Sequence, residues 1–141
     1  MPTMNQAEID AFLQAPRHAI VGTISRDGAP QLNPVWYIYE DGLFYIGITA
    51  GTAKYRNLRR DPRLSLCIDG GREDVRTVMV YGVAELVGKS EPLQQEMRWR
   101  IISHYMADPA AARQYADSSQ DWDSVLLVVT PQKMLTQNFS D

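Results

Sequence analysis

Short apolar runs rich in β-branched residues are cut by Gly, Asp and Pro along this chain, and the second half of Val75 to Val87 alternates apolar with polar positions. That pattern predicts strands. Ala19 to Ser25 reads as the first. Arg26-Asp27-Gly28 follows as a hairpin turn, because Asp-Gly takes positive φ at little cost. Gln31 to Tyr39 reads as a single return strand, with Pro30 and Pro34 denying part of it ladder N–H groups. Glu40-Asp41-Gly42 turns the chain again into Leu43 to Thr49. Three strands in meander order predict antiparallel pairing. Leu64 to Ile68 and Val75 to Val87 come next, and Gly82 inside the latter marks a bulge or a close backbone approach. Val125 to Thr130 is the sixth strand, and Pro131 leads into a tail with a further short strand expected near Met134.

Helical spacing appears in four places. Asn5 to Ala15 puts Ile9, Phe12 and Leu13 on one face, with Thr3 or Asn5 as cap and Pro16 as stop. Thr52 to Arg60 turns Tyr55 and Leu58 to the core and stops at Asp61-Pro62. Ser90 is the expected cap of a helix through Met106, carrying Leu93, Met97, Ile101 and Tyr105 at i, i+4 steps. Asp108-Pro109 opens another helical turn, and Asp117 to Asp123 reads as a loop. Strands that outnumber helices and follow one another through short turns predict a mainly β (α+β) fold, an antiparallel barrel with flanking helices. At 141 residues, with 45% apolar and 22% charged positions, the chain is expected to form one domain, residues 1–141, with a substantial core.

Charge changes the picture at one place. The formal net charge is -3, yet Lys54, Arg56, Arg59, Arg60 and Arg63 crowd a short segment against Asp61 alone. Global acidity argues against a dedicated nucleic-acid binder. A cationic island where a strand feeds a helix suits a phosphorylated small molecule, because helix N-termini attract anions. Thr49-Ala50-Gly51-Thr52 with Lys54 supplies two hydroxyls, a flexible Gly and a point charge, and Arg56 adds a bidentate fork. The spacing is neither a Walker loop nor G-x-G-x-x-G. A solvated basic helix face with Thr52 as an ordinary cap fits the same residues.

Asn33-Pro34-Val35-Trp36-Tyr37 is the second candidate. A Pro in a strand leaves backbone groups free to bond the edge of a flat heterocycle, with Trp36 or Tyr37 against its face. Ordinary packing of Val35 and Trp36 on opposite faces fits equally. His18 and His104 have no partners at metal-ligand spacing, so no metal site is read. Cys67, the single cysteine, falls in an apolar strand pattern and reads as a small core residue. The first ten residues lack a basic segment and an apolar core, so no signal peptide is expected; no run has transmembrane length, and a reducing, cytoplasmic setting is expected. Asn138-Phe139-Ser140 spells a glycosylation sequon that such a setting would leave unused.

The ordered set of Asp27-Gly28-x-Pro30, Asn33-Pro34-Val35-Trp36-Tyr37, a strand ending at Thr49, and Lys54-x-Arg56-Asn57-Leu58-x-x-Asp61-Pro62-Arg63-Leu64-Ser65 resembles the pyridoxamine 5′-phosphate oxidase-like split β-barrel family. Within it the set looks like the coenzyme F420-dependent branch. Val80 to Leu86 is similar to a later family strand. The resemblance implies a six-stranded split barrel, a homodimer, and cofactor grooves at the dimer interface holding FMN or the deazaflavin F420. It places Lys54 at cofactor phosphate, Thr49 and Thr52 in the hydroxyl-bearing turn, and Arg56 and Asn57 at the helix start. Asn33, Pro34, Val35 and Trp36 fall along the ring system, and the partner's Thr77–Val80 strand and C-terminal tail complete the site. The implied activity is hydride transfer from F420 to an unsaturated small organic substrate, with Tyr37 a conceivable proton donor and Arg59 and Arg60 suited to the cofactor's acidic tail. The same residues fit an FMN-dependent oxidoreductase, or a non-catalytic flavin- or tetrapyrrole-binding protein with His18 or His104 as a haem ligand. The tail from Pro131 carries one cation, Lys133, and no Arg, unlike the basic C-terminal segment of vitamin B6 oxidases.

Overall fold

The computed structural model describes residues 2–139; Ser140 of the sequon and the last residue of the tail lie outside them. The elements run α1 (Gln6–Phe12), β1 (Ala19–Ile24), β2 (Pro30–Val35), β3 (Tyr37–Glu40), β4 (Leu43–Thr49), α2 (Ala53–Arg60), β5 (Arg63–Asp69), β6 (Arg76–Val87), α3 (Pro92–Tyr105), α4 (Pro109–Ser118) and β7 (Ser124–Asn138). All pairings are antiparallel, in the order β2-β1-β5-β6-β7-β4-β3. No helix among the described residues is long and apolar enough to cross a membrane.

β2 and β3 occupy opposite edges of that sheet, yet only Trp36 separates them in the chain. Edges joined by one residue must lie side by side, so the sheet curls into a barrel. The expected single return strand from Gln31 to Tyr39 is therefore two strands. Its first half pairs with β1 (Val35 opposite Ala19) and its second with β4 (Tyr37 opposite Ile46). The break is held by Tyr105: its hydroxyl accepts from the Tyr37 amide (3.1 Å) and donates to the Arg17 carbonyl (2.5 Å). Trp36 then stacks on the Tyr105 ring, with centroids 4.7 Å apart and planes 5° from parallel.

Alternation does the rest of the sorting. Ala19, Val21, Leu64, Leu66, Ile68, Val78, Val80, Phe44, Ile46, Ile48, Val125, Leu127 and Val129 point inward, and Ile9, Phe12 and Leu13 of α1 join the same core. Asn5 caps α1 in a reciprocal box with Glu8. The hairpins form at the expected turns; Asp41 and Gly42 both have positive φ (52° and 80°), the type I′ geometry that matches strand twist.

Several expectations change. Cys67 lies on the outer face, half-buried, opposite Ile20 and Met79, because its neighbours Leu66 and Ile68 take the inward positions. Glu91, not Ser90, occupies the cap of α3 and makes no side-chain cap bond. Leu93 is exposed, while Gln94, Met97, Ile101 and Ile102 are buried. The single turn expected after Asp108 is a whole helix reaching Ser118. The last strand continues through Pro131 to Asn138 with no separate strand near Met134, and the seven strands arise from the split at Trp36. Pro131 is tolerated because it sits opposite Gly82 at a register shift, beyond the residues that pair with β4.

At that shift a Cβ on Gly82 would lie 2.6 Å from the Thr130 carbonyl oxygen. Gly82→Ala should therefore cost roughly 1–3 kcal/mol, since backbone must move to admit the methyl; a wild-type urea midpoint would refute the close approach. Tyr105→Phe strands the Tyr37 amide and should lower stability by about 1–3 kcal/mol. Its companion readout is Trp36 emission, which should shift as the stacked wall loosens.

Candidate functional site

Outside the barrel, α3 lies over β3, β4 and β7, with Met97 and Ile101 packed on Leu126 and against Trp36. α4 packs back on α3 through Ile102, Ala112 and Ala116. Between this helical pair, the strand break and the start of α2 lies a groove of about 320 Å³. Its floor is the β4–β7 ladder, where Gly47, Ile48 and Thr49 face Leu126, Val125 and Ser124. One wall is Pro34, Val35 and Trp36; the other is Gln94, Arg98, Ile101 and Ile102, joined by Tyr115, Ser119 and Trp122. Lys54, in the first turn of α2, also lines the groove.

Five of the nine residues singled out in the sequence line this groove: Pro34, Val35, Trp36, Thr49 and Lys54. Val35 is also core and Trp36 packs on Tyr105, so groove lining and ordinary packing coexist at these residues. The other four stand around it. Asn33 is half-buried on edge strand β2, which pairs with β1 alone. Thr52 caps α2, accepting from the Tyr55 amide (3.4 Å) and donating to the Thr49 carbonyl (2.7 Å). Arg56 donates to the Gly51 carbonyl (2.7 Å), bracing the turn. Asn57 is buried, and its amide nitrogen donates to Thr23 Oγ1 (3.0 Å) and Gln31 Oε1 (2.8 Å), tying α2 to the barrel.

The cationic island disperses once folded. Arg63 pairs with Asp61 at 2.7 Å, and Arg60 donates to the Ile24 carbonyl and Asn57 Oδ1. Arg59 lies over the Tyr55 ring, 5.8 Å from its centroid. Lys54 alone of the five is half-buried in the groove, with no hydrogen bond or ion pair among the described residues. It sits at the first turn of α2, where the helix presents N–H groups and its positive dipole end.

The tyrosines sort differently from expectation. Tyr37 points into the barrel core, 1% exposed, its hydroxyl without a partner and its pKa raised by burial. It does not line the groove, so it is no proton donor there. Burial likewise pushes Tyr105 up to about 12, and its proton is held by the Arg17 carbonyl. His18 lies at the groove mouth and accepts from Trp36 Nε1 (3.3 Å), while His104 is outside the groove, edge-on to Tyr105. Among the described residues no group of three His, Cys, Asp or Glu side chains is placed to hold a metal.

Sequence reasoning missed the α3–α4 wall. Its signal was present: Gln94 and Arg98 stand at i, i+4 and flank Met97 and Ile101, so polar groups interrupt a buried stripe. Arg98 Nη2 donates to the Ala116 carbonyl (3.0 Å) and Ser119 Oγ (2.6 Å), closing the end of α4. The turn before α2 is coupled to this wall, because the Ala50 amide donates to the Asp123 carbonyl (2.8 Å). No carboxylate lines the groove, so its cations Lys54 and Arg98 leave it positive.

Solved structures share this architecture. A conserved hypothetical protein of Mycobacterium tuberculosis is 29% identical, with a TM-score of 0.77 over 96% of this chain and 85% of that one. An F420 reductase superposes with a TM-score of 0.69 at 22% identity, covering 89% of this chain and 94% of its own. An FAD-binding protein of Mesorhizobium loti gives 0.73 at 20% identity, over 99% and 98% of the two chains. At those identities the last two show the fold alone. The family model described as pyridoxamine 5′-phosphate oxidase matches residues 6–138, nearly the whole chain. On that match, and on a sheet whose edges meet at Trp36, the chain belongs to the pyridoxamine 5′-phosphate oxidase family of split β-barrels.

Proposed function

We propose that the protein is an oxidoreductase whose groove holds a phosphorylated flavin-type cofactor, coenzyme F420 in preference to FMN. The observation that carries this is Lys54, a half-buried ammonium without a protein partner, sharing one groove with Thr49 and the Pro34–Trp36 strand. Leaving a cation so placed costs desolvation, which an anionic ligand recovers. The residues fit the group: Lys54 and Thr49 with the first turn of α2 would hold phosphate, and Thr52 and Arg56 keep that turn in shape. The free edge of β2 at Asn33–Val35 would bond the ring's polar edge, with Trp36 as wall. Once bound, the cofactor supplies hydride-transfer chemistry. The chain's own part is to bind and orient it and to exclude water, which Ile48, Val125, Leu126 and Ile101 do from the groove floor and wall. The F420 reductase of the same fold supports the deazaflavin, and Arg59 and Arg60 outside the groove suit its acidic tail. The FAD-binding relative of the same fold favours the second reading, an FMN- or FAD-dependent oxidoreductase on the same site.

We also infer a homodimer and a cytoplasmic setting. On the outer face Ile20, Cys67, Met79 and Leu135 fall in one cross-strand row, with Leu32 and Tyr81 beside it. Leu32 is 67% exposed and Tyr81 46% exposed. α3 covers β3, β4 and the first half of β7 but not this face. An apolar band of that breadth fits a second copy of the chain, and it carries the Thr77–Val80 segment expected at the partner's site.

Parallel fluorescence titration of apo-protein with F420 and FMN should show the tighter affinity for F420. Lys54→Ala should weaken it by roughly 1.5–3 kcal/mol, the range for a hydrogen bond to a charged group. Binding of neither cofactor would end this reading, and FMN alone would move it to the second. Leu135→Glu should turn a dimer into a monomer in light scattering at micromolar concentration; a wild-type monomer would refute the shared interface.

A further inference from the structure

The groove carries polar side chains besides Lys54. Gln94 is 3% exposed, yet its side-chain amide has no hydrogen-bond partner among the described residues. Its polar atoms are not sealed in protein either; among the described residues only the Tyr37 hydroxyl is both buried and unsatisfied. The amide therefore meets the groove that Gln94 lines. One turn on, Arg98 is anchored through Nη2 to the Ala116 carbonyl and Ser119 Oγ, which holds the guanidinium plane. Its Nε and Nη1 bond nothing described, and it pairs with no carboxylate. A buried amide and an anchored guanidinium with free N–H groups, in a groove without acids, match a carboxylate with two acceptor oxygens. Beside them stand three rings: Trp36 and Tyr115 have centroids 6.1 Å apart, and Trp122 meets Tyr115 edge-on at 6.3 Å. Such rings accept a flat conjugated frame by stacking or edge contact.

We propose that Gln94 and Arg98 form a carboxylate-binding subsite and that the substrate is a flat, conjugated carboxylic acid, its ring or alkene lying against Trp36 and Tyr115. This rests on the groove being the catalytic one but not on which cofactor occupies it. The subsite has two sources of ligand, a substrate carboxylate or an acidic tail on the cofactor itself, and they separate by competition.

The probes are trans-cinnamate and its neutral analogue trans-cinnamamide, titrated by tryptophan quenching into the full chain, with and without saturating FMN or F420. Cinnamate should bind at least tenfold more tightly than cinnamamide, with the cofactor present as well as absent. Arg98→Gln should abolish that preference, and Arg98→Lys should restore only part of it, because a point charge lacks the fork. Gln94→Leu leaves the anchoring of α4 untouched and should weaken both probes severalfold. Equal affinity of wild type for the two probes overturns the subsite, as does Gln94→Leu without effect. Loss of cinnamate binding on saturation with cofactor assigns the subsite to the cofactor and overturns the substrate reading. Arg98-dependent cinnamate binding in a protein that takes up neither FMN nor F420 leaves the subsite standing and removes the cofactor assignment alone.

Discussion

Passage of the chain from one sheet edge to the other through the single residue Trp36 governs the rest of this structure. One residue spans only a few ångströms, so β2 and β3 must end side by side although five strands separate them in the sheet. Closure makes an inside, and the alternating apolar positions fill it. It also forces Trp36 outward, since Val35 and Tyr37 on either side of it both face the core. An outward tryptophan at a seam needs cover, and α3 supplies it through Tyr105, whose hydroxyl also takes up the amide freed where the ladders change partner.

The groove is a by-product of that repair. α3 must reach the seam with Tyr105 at its C-terminal end while Met97 and Ile101 rest on β7, and this leaves space between its inner face and the Pro34–Trp36 strand. α2 enters the same space because β4 ends at Thr49, where the Thr52 cap and the Arg56–Gly51 contact turn the chain sharply into a helix. Site and fold therefore share residues. Val35 is core on one side of the strand and groove wall beside the seam, and Trp36 is at once the stacked plug and a ring face.

Electrostatics inside the groove differ from those of the molecule. The chain is acidic overall, and its surface acids neutralise most nearby arginines: Asp61 takes Arg63, Asp74 takes both Arg17 and Arg76, and Glu40 takes Arg100. Arg76 beside Asp74 holds that carboxyl down at about 2. Lys54 and Arg98 are left outside these pairs, and both line a groove without carboxylates. Folding thus turns a diffuse basic island into one cation facing the groove, and adds a second from a helix far away in sequence.

Much was legible in the sequence because it depends on neighbours along the chain. Asp-Gly turns, the Asn5 and Thr52 caps, the strand alternation and the Gly82 bulge are decided within a few residues, and the family pattern from Asp27 to Ser65 includes Pro34, Val35, Trp36, Thr49 and Lys54 of the groove lining. Tertiary structure decided whatever depends on distant partners. It cut the strand at Trp36, since edge pairing with β1 and β4 is not written locally. It turned Cys67 outward and Tyr37 inward through cross-strand register, and it buried Asn57 on Thr23 and Gln31. It also brought Gln94 and Arg98 to a groove whose other wall lies sixty residues earlier, a meeting that α3's own pattern could signal only as polar groups within a buried stripe. Local sequence chose the elements; closure of the sheet through one residue chose which of them would face one another.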